Sequence, residues 1–215
     1  MSNPSKSKVK RVPKRGIYER EEVYALLDKE FLCHVGFVYD GYPVVIPTMY
    51  GRKGDVIYIH GASVSRLLVS LEKGIDVSVS IANVSGLVLA RSAFHHSLNY
   101  ESVVIFGKGS LVEGEEKLDA LKVISDSVIK GRWEEVRLPS EKEMKATKVL
   151  KIQIDEVSAK VRTGPPVDDK PDYDLDIWAG ELPIVKTYGK PIADTLLKEG
   201  IETPKSVKNK IGVRF

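Results

Sequence analysis

One cysteine, Cys33, stands in 215 residues. An intrachain disulfide is therefore excluded, and the apolar run around Cys33 reads as a burial site for an inert thiol. No apolar stretch approaches the ~18 residues needed to span a bilayer. The opening MSNPSKSKVKRVPKR lacks the apolar core of a secretory signal, so a cytoplasmic location is expected. The phosphate-cradling GxGxxG and Walker A patterns are missing, and so is the GxSxG elbow of a nucleophilic serine. The four histidines, His34, His60, His95 and His96, have no CxxC or HExxH companion. Cys33-His34 and His95-His96 are adjacent pairs, which a strand points to opposite faces. No metal centre is expected. His34 reads as a core histidine and His60 as the one placed near a ligand.

Charge of one sign is also missing over most of the chain. Residues 1–15 hold six basic residues and no acid, so a formal charge of +3 overall leaves −3 for the rest. A nucleic-acid protein needs a basic face across its fold, which argues against that class and reads residues 1–15 as a flexible solubilising tail. What is present, 42% hydrophobic and 29% charged residues, is the composition of an ordinary globular chain with room for a substantial core.

Glu21 to Lys29 places Val23, Tyr24, Leu26 and Leu27 as a short amphipathic helix. Strands follow: Phe31 to Tyr39, a turn at Asp40-Gly41, then Tyr42 to Tyr50 with Pro43 and Pro47, which predict an edge or a bend. Val56 to His60 is a third strand. It runs through small residues into a helix from Ser65 to Lys73, a place where backbone N–H groups, hydroxyls and the Arg66 guanidinium can meet an anion, although serine there also caps helices without a ligand. Asp76 to Val84 alternates as a strand, and Gly86 to Ala90 is apolar again. Ser102 to Val112 forms another strand, with Gly107 and Gly109 marking a bend or a close backbone approach. Helices are predicted over Glu115 to Ile129 and, behind a capping box at Ser140 and Glu143, over Glu141 to Lys145. Val149 to Arg162 alternates once more, as Leu150, Ile152 and Ile154, before Glu156 breaks the pattern. Beyond Gly164 lie six of the eleven prolines and little periodicity, the pattern of a covering arm over residues 165–215.

Many short strands with few, late helices indicate a mainly β fold, a small antiparallel barrel with peripheral helices. The passage LVLARSAFHHSLNYESVV concentrates polar and aromatic side chains that cannot all be core, which raises the odds of a site or a subunit seam there. Arg132-Trp133 and Trp178 read as packing anchors that can also face a ligand.

The order GYPVVIPTMYGRKGDVIYIHG, SRLL, GLVLARSAFHHSLNYESVVIFG, GRW, KATKVLKI and SAKVR resembles the flavin-nucleotide-binding branch of the pyridoxamine 5'-phosphate oxidase-like split barrels, which includes nitroimidazole-resistance-like proteins. The resemblance spans about residues 15–180 and sets the barrel domain at 16–164. It implies a Greek-key split β-barrel homodimer with two FMN molecules at the interface, each touched by both subunits. Carried over by position, Ile46, Pro47, Thr48 and Met49 line the isoalloxazine, largely through backbone. His60, Gly61, Ser63, Ser65 and Arg66 hold the ribityl phosphate. Ser97, Tyr100 and Ser102 approach the flavin across the interface, and Trp178 covers it.

The same resemblance implies an FMN-dependent oxidoreductase acting on a small molecule. The alternative is a flavin carrier or sensor without turnover. A third reading, from heme-degrading relatives, needs an axial ligand in the C-terminal region; no histidine lies beyond His96, so that reading ranks last. The true oxidases end in a histidine-containing basic motif. This chain ends KNKIGVRF, which argues against pyridoxamine phosphate as the substrate.

Overall fold

A computed structural model describes residues 6–214. In chain order the elements are β1 (Gly16–Ile17), α1 (Arg20–Leu27), β2 (Leu32–Tyr39), β3 (Tyr42–Lys53), β4 (Val56–Ala62), α2 (Arg66–Leu71), β5 (Asp76–Leu89), β6 (Ser97–Val112), α3 (Gly114–Val128), α4 (Glu141–Ala146), β7 (Thr147–Gln153), β8 (Glu156–Arg162), β9 (Gly180–Pro183) and α5 (Lys205–Lys208).

All strand pairs are antiparallel, and the pairings β2–β3, β3–β4, β4–β7, β7–β6, β6–β5 and β5–β2 close a six-stranded barrel. β8 and β1 continue outward from β6, while β9 adds to β5. The barrel is split because β6 is long enough to change partners. Its first part, Tyr100 to Phe106, pairs with β8, and its last part, Gly109 to Val112, pairs with β7. Two glycines make that switch possible. A Cβ on Gly107 would lie 2.0 Å from the Gln153 carbonyl oxygen, and one on Gly109 would lie 2.9 Å from Leu71.

Alternation fills the interior. Cys33, Val35 and Phe37 of β2, Ile57 and Ile59 of β4, and Val77, Val79 and Ile81 of β5 are buried in one cluster, capped by Val23 and Leu27 of α1 and by Leu67, Leu68 and Leu71 of α2. Burial pushes the Cys33 thiol up to about 12, which keeps it protonated and inert. His34 departs from its sequence reading: it lies between buried Cys33 and Val35 and therefore faces outward. Over Tyr42–Met49, β3 pairs only with β2, so both prolines sit where the other side has no strand neighbour among the described residues.

Several boundaries differ from the sequence reading. The apolar stretches on either side of Ser85 are one strand, β5, with a bulge between Val84 and Gly86. The alternating stretch from Val149 to Arg162 is two strands, broken where the Asp155 amide donates to Phe106 O. The basic N-terminal segment is held from Lys6 onward: Ser158 Oγ donates to Ser7 O at 2.5 Å, and Val9 N donates to Tyr18 Oη at 2.9 Å. The C-terminal region supplies β9. Buried Arg162 fastens its approach by donating to Asn99 Oδ1, to Gly164 O at 3.0 Å and to Pro165 O at 3.1 Å, while Asn99 Nδ2 reaches Glu181 Oε2 at 2.5 Å. Among the described residues, no helix is long and apolar enough to cross a membrane.

Candidate functional site

β3 and β4 present one face to the core and the other to α3. Tyr50, Ile57 and Ile59 point inward, while Tyr58 joins Val112, Ala120, Ile124 and Val149 in a second apolar cluster beneath the helix. Gly51 lets α3 approach this face, since a Cβ there would stand 2.7 Å from Val123 O and 2.8 Å from Ile124 N. After α3 the chain turns at Gly131, whose φ of 83° suits glycine, into a short 3-10 turn over Arg132–Glu135. Trp133 thereby comes to lie opposite β4.

Two adjoining clefts result, of about 350 and 470 Å³, and both are lined by His60, Leu121, Trp133 and Pro139. The smaller adds Met49, Ile124, Val128, Ile129 and Arg132. The larger adds Arg137, Glu143, Met144 and Thr147. Apolar side chains dominate the walls, and polar groups stand at a few points, the usual composition of a ligand site.

His60 is the unsatisfied group in these walls. Its Nδ1 is buried and has no hydrogen-bond partner. Burial pushes the imidazole pKa down, so the ring is neutral near pH 7. Arg137 is already paired, donating through Nη1 to Glu143 Oε2 at 2.8 Å and through Nη2 to Glu143 Oε1 at 2.7 Å. Glu143 also completes the capping box with Ser140 at the start of α4, and these donors hold its carboxyl well below the usual range.

The turn that follows β4 keeps its backbone order through Ser63 N to Ala146 O at 2.9 Å and Ser65 N to Ala62 O at 2.8 Å. Ser65 occupies the N-cap of α2, but its side chain makes no capping bond. Capping thus does not explain this serine. α2 is only six residues long, so few peptide dipoles align in it, and an anion here would rely mainly on hydroxyls and Arg66. The Arg66 guanidinium is exposed and lies 5.4 Å from the centroid of the Tyr39 ring.

Met49 and His60 therefore share a cleft, and Gly61, Ser63, Ser65 and Arg66 continue directly from it. Ile46 packs against the core and Thr48 is half-buried, whereas Pro47 and Met49 are on the exposed side of β3. The other predicted residues lie elsewhere in the chain. Ser102 Oγ donates to Lys160 O at 3.2 Å and lines a separate groove beside Lys6–Arg11. Tyr100 stands between Val84 and Arg162, and Ser97 opposite Val88. Trp178 is 68% exposed, its ring over Gly180. Sequence reasoning missed Leu121, Ile124, Val128, Pro139 and Thr147 as cleft residues. Their spacing marked an amphipathic helix and its neighbours, and only Gly131 followed by Arg132-Trp133 hinted at a chain folding back.

The model of the pyridoxamine 5'-phosphate oxidase family matches residues 19–161. The chain belongs to the pyridoxamine 5'-phosphate oxidase-like split-barrel family. Among solved structures it is similar to the FAD and heme binding protein from Mycobacterium smegmatis, at 35% identity over 92% of this chain and 98% of that one, with a TM-score of 0.89. It is also similar to the flavocytochrome Anf3 from Azotobacter vinelandii, at 38% identity over 97% and 98% of the two chains, with a TM-score of 0.90. A proposed 5-nitroimidazole antibiotic resistance protein from Bacteroides thetaiotaomicron shares the fold at 24% identity, over 68% of this chain and 87% of that one, with a TM-score of 0.57. No curated protein matches the sequence.

Proposed function

We propose that the protein is a flavin-dependent oxidoreductase that also holds heme, with His60 as the iron ligand and the turn from Gly61 to Arg66 as the flavin phosphate site. The observation that carries this reading is the half-buried, neutral imidazole of His60 in an apolar cleft, its buried Nδ1 without a hydrogen-bond partner. An imidazole must be neutral to ligate a metal, and an apolar wall suits a planar macrocycle. On this reading a C-terminal histidine is not required, because His60 on β4 would serve as the ligand. When bound, the flavin supplies hydride or electron exchange and the heme one-electron chemistry.

The chain's own residues would bind and orient. Ser63, Ser65 and Arg66 would hold a phosphate through charge-assisted hydrogen bonds, and Met49, Leu121 and Trp133 would exclude water from the cleft. The two similar proteins above are described by their FAD and heme, or as a flavocytochrome, which favours FAD over FMN as the nucleotide. A homodimer is part of the proposal. Val38, Tyr42, Val45, Phe94 and Leu98 expose 40–89% of their surface, more apolar area than a solitary barrel needs to leave in water.

The test is reconstitution of the purified chain with FAD, FMN and hemin separately. FAD binding with yellow absorbance, a Soret band with hemin that His60→Ala abolishes while flavin binding persists, and a dimer mass in solution are expected. Flavin binding without any hemin spectrum would instead support the second reading, a heme-free flavin oxidoreductase or carrier using FMN or FAD. A protein that binds neither would overturn both.

A further inference from the structure

His95 lies away from the cleft, on the short turn Ala93–His95 that joins β5 to β6. Its Nε2 is 3.3 Å from Asp169 Oδ2, a residue 74 positions further along the chain. Asp172 completes a group in which one ligand atom from each of the three side chains lies within 4.8 Å of the others. The two segments are locked together independently of these residues. Asp168, with its side chain wholly buried, accepts from Arg91 N at 3.1 Å, Ser92 N at 3.3 Å and Arg91 Nη1 at 3.2 Å. Three donors surround the Asp168 carboxyl, and its Oδ2 forms the ion pair with Arg91 Nη1.

That leaves a charge problem. The one guanidinium nearby is spoken for by Asp168, and its face is stacked 4.9 Å from the centroid of the Tyr173 ring. Asp169 has only an imidazole as partner, and Asp172 has no ion pair among the described residues. Two carboxylates thus stand within 4.8 Å of one ring nitrogen, and among the described residues no lysine or arginine pairs with either. Like charges at this separation repel unless something positive is placed there.

We propose that His95, Asp169 and Asp172 bind a divalent first-row transition-metal cation, which staples the C-terminal arm to the β5–β6 turn. One imidazole nitrogen and two carboxylate oxygens suit zinc or manganese, and the nitrogen disfavours calcium and magnesium, which prefer all-oxygen shells. Ligand atoms on a tetrahedral zinc stand about 3.4 Å apart. His95 Nε2 and Asp169 Oδ2 already stand at that separation, and the half-buried Asp172, within 4.8 Å of both, is the ligand that must close in. The two charges of the carboxylates balance those of the ion, and a fourth position stays open to water. Spacing around the histidines in sequence gave no sign of this site because two of its three ligands come from a distant segment.

Tag-free full-length protein, dialysed against a chelator, is titrated with Co2+ followed by visible absorption, and Zn2+ is then added in competition. One Co2+ per chain with micromolar affinity is expected, displaced by Zn2+ and not by millimolar Mg2+ or Ca2+. His95→Gln and Asp172→Asn should each weaken binding at least tenfold, while Asp174→Asn, outside the cluster, should not. Metal-free variants with wild-type circular dichroism exclude misfolding as the cause. Zn2+ should also slow proteolytic cleavage between residues 165 and 180 in wild type and not in His95→Gln. If a protonated His95 alone supplies the positive charge, no saturable binding occurs below millimolar metal, and the proposal fails. It fails equally if His95→Gln binds as wild type does.

Discussion

Met49 and His60 lie one step beyond the cross-strand pair Tyr50 and Ile59, and so both face away from the core into the same cleft. Period-two alternation puts Tyr50 and Ile59 inside and their neighbours outside. This pairing gives the cleft a thioether and an imidazole on one rigid sheet, and several expected behaviours depend on it.

The first concerns pH. Burial lowers the His60 pKa below its ordinary value of 6.5, so the unfolded chain takes up a proton that the folded chain refuses. Stability of the ligand-free protein should hold above pH 6.5 and fall as the pH drops from there toward the lower folded value. Thermal melts from pH 7.5 to 5 should show this decline, and His60→Leu should flatten part of it. An identical pH profile in the variant would show that His60 is not the group responsible.

Arg66 is the one cation on the turn after β4, and among the described residues its guanidinium meets only the face of the Tyr39 ring. A charge-assisted hydrogen bond to phosphate contributes roughly 1.5–3 kcal/mol, so Arg66→Ala should weaken flavin binding by about 10- to 100-fold. Arg66→Lys should recover part of the loss, since it keeps the charge but loses the fork. Fluorescence titration with FAD measures both; equal affinity in Arg66→Ala and wild type would remove this residue from the site.

Gly51→Ala tests how α3 is seated. Its Cβ would collide with backbone atoms of Val123 and Ile124, which cannot rotate away. Overpacking of this kind costs about 1–3 kcal/mol, and the helix must lift from the sheet. We expect a melting temperature lower by several degrees and a weaker ligand at the His60 cleft. A variant as stable as wild type would mean that α3 is loosely held.

Arg162→Leu removes the donors that satisfy Asn99, Gly164 and Pro165 and leaves the Asn99 amide oxygen without its partner. Removing one side of a buried polar network destabilises by more than the bond itself contributes. Limited proteolysis should cut between residues 164 and 180 at a protease level that leaves wild type intact. An unchanged digestion pattern would place the hold on the C-terminal region elsewhere.

Much of this architecture was readable in the chain. Alternation in Asp76 to Val84, the Asp40-Gly41 turn and the capping box at Ser140 act between residues close in sequence, where stereochemistry alone decides. The single strand β5 was harder to see, because Ser85 and Gly86 look like a break and only the bulge against β6 keeps the strand continuous. The same holds for β7 and β8, whose alternation breaks at Glu156 in the sequence but whose separation is fixed where Asp155 N bonds to Phe106 O.

The site divides along the same line. Local pattern made His60 to Arg66 visible, because a strand, small residues, a serine and an arginine follow one another within seven positions. Motif order likewise carried the family resemblance, and strand alternation with its turn signals carried the mainly β fold. Tertiary structure alone decided that His60 Nδ1 is left without a hydrogen-bond partner, that Trp133 lines the same cleft, and that His95 meets Asp169 and Asp172. These relationships join residues tens of positions apart. They depend on which carbonyls and side chains the packed barrel leaves available, a property of the whole fold that no window of sequence contains.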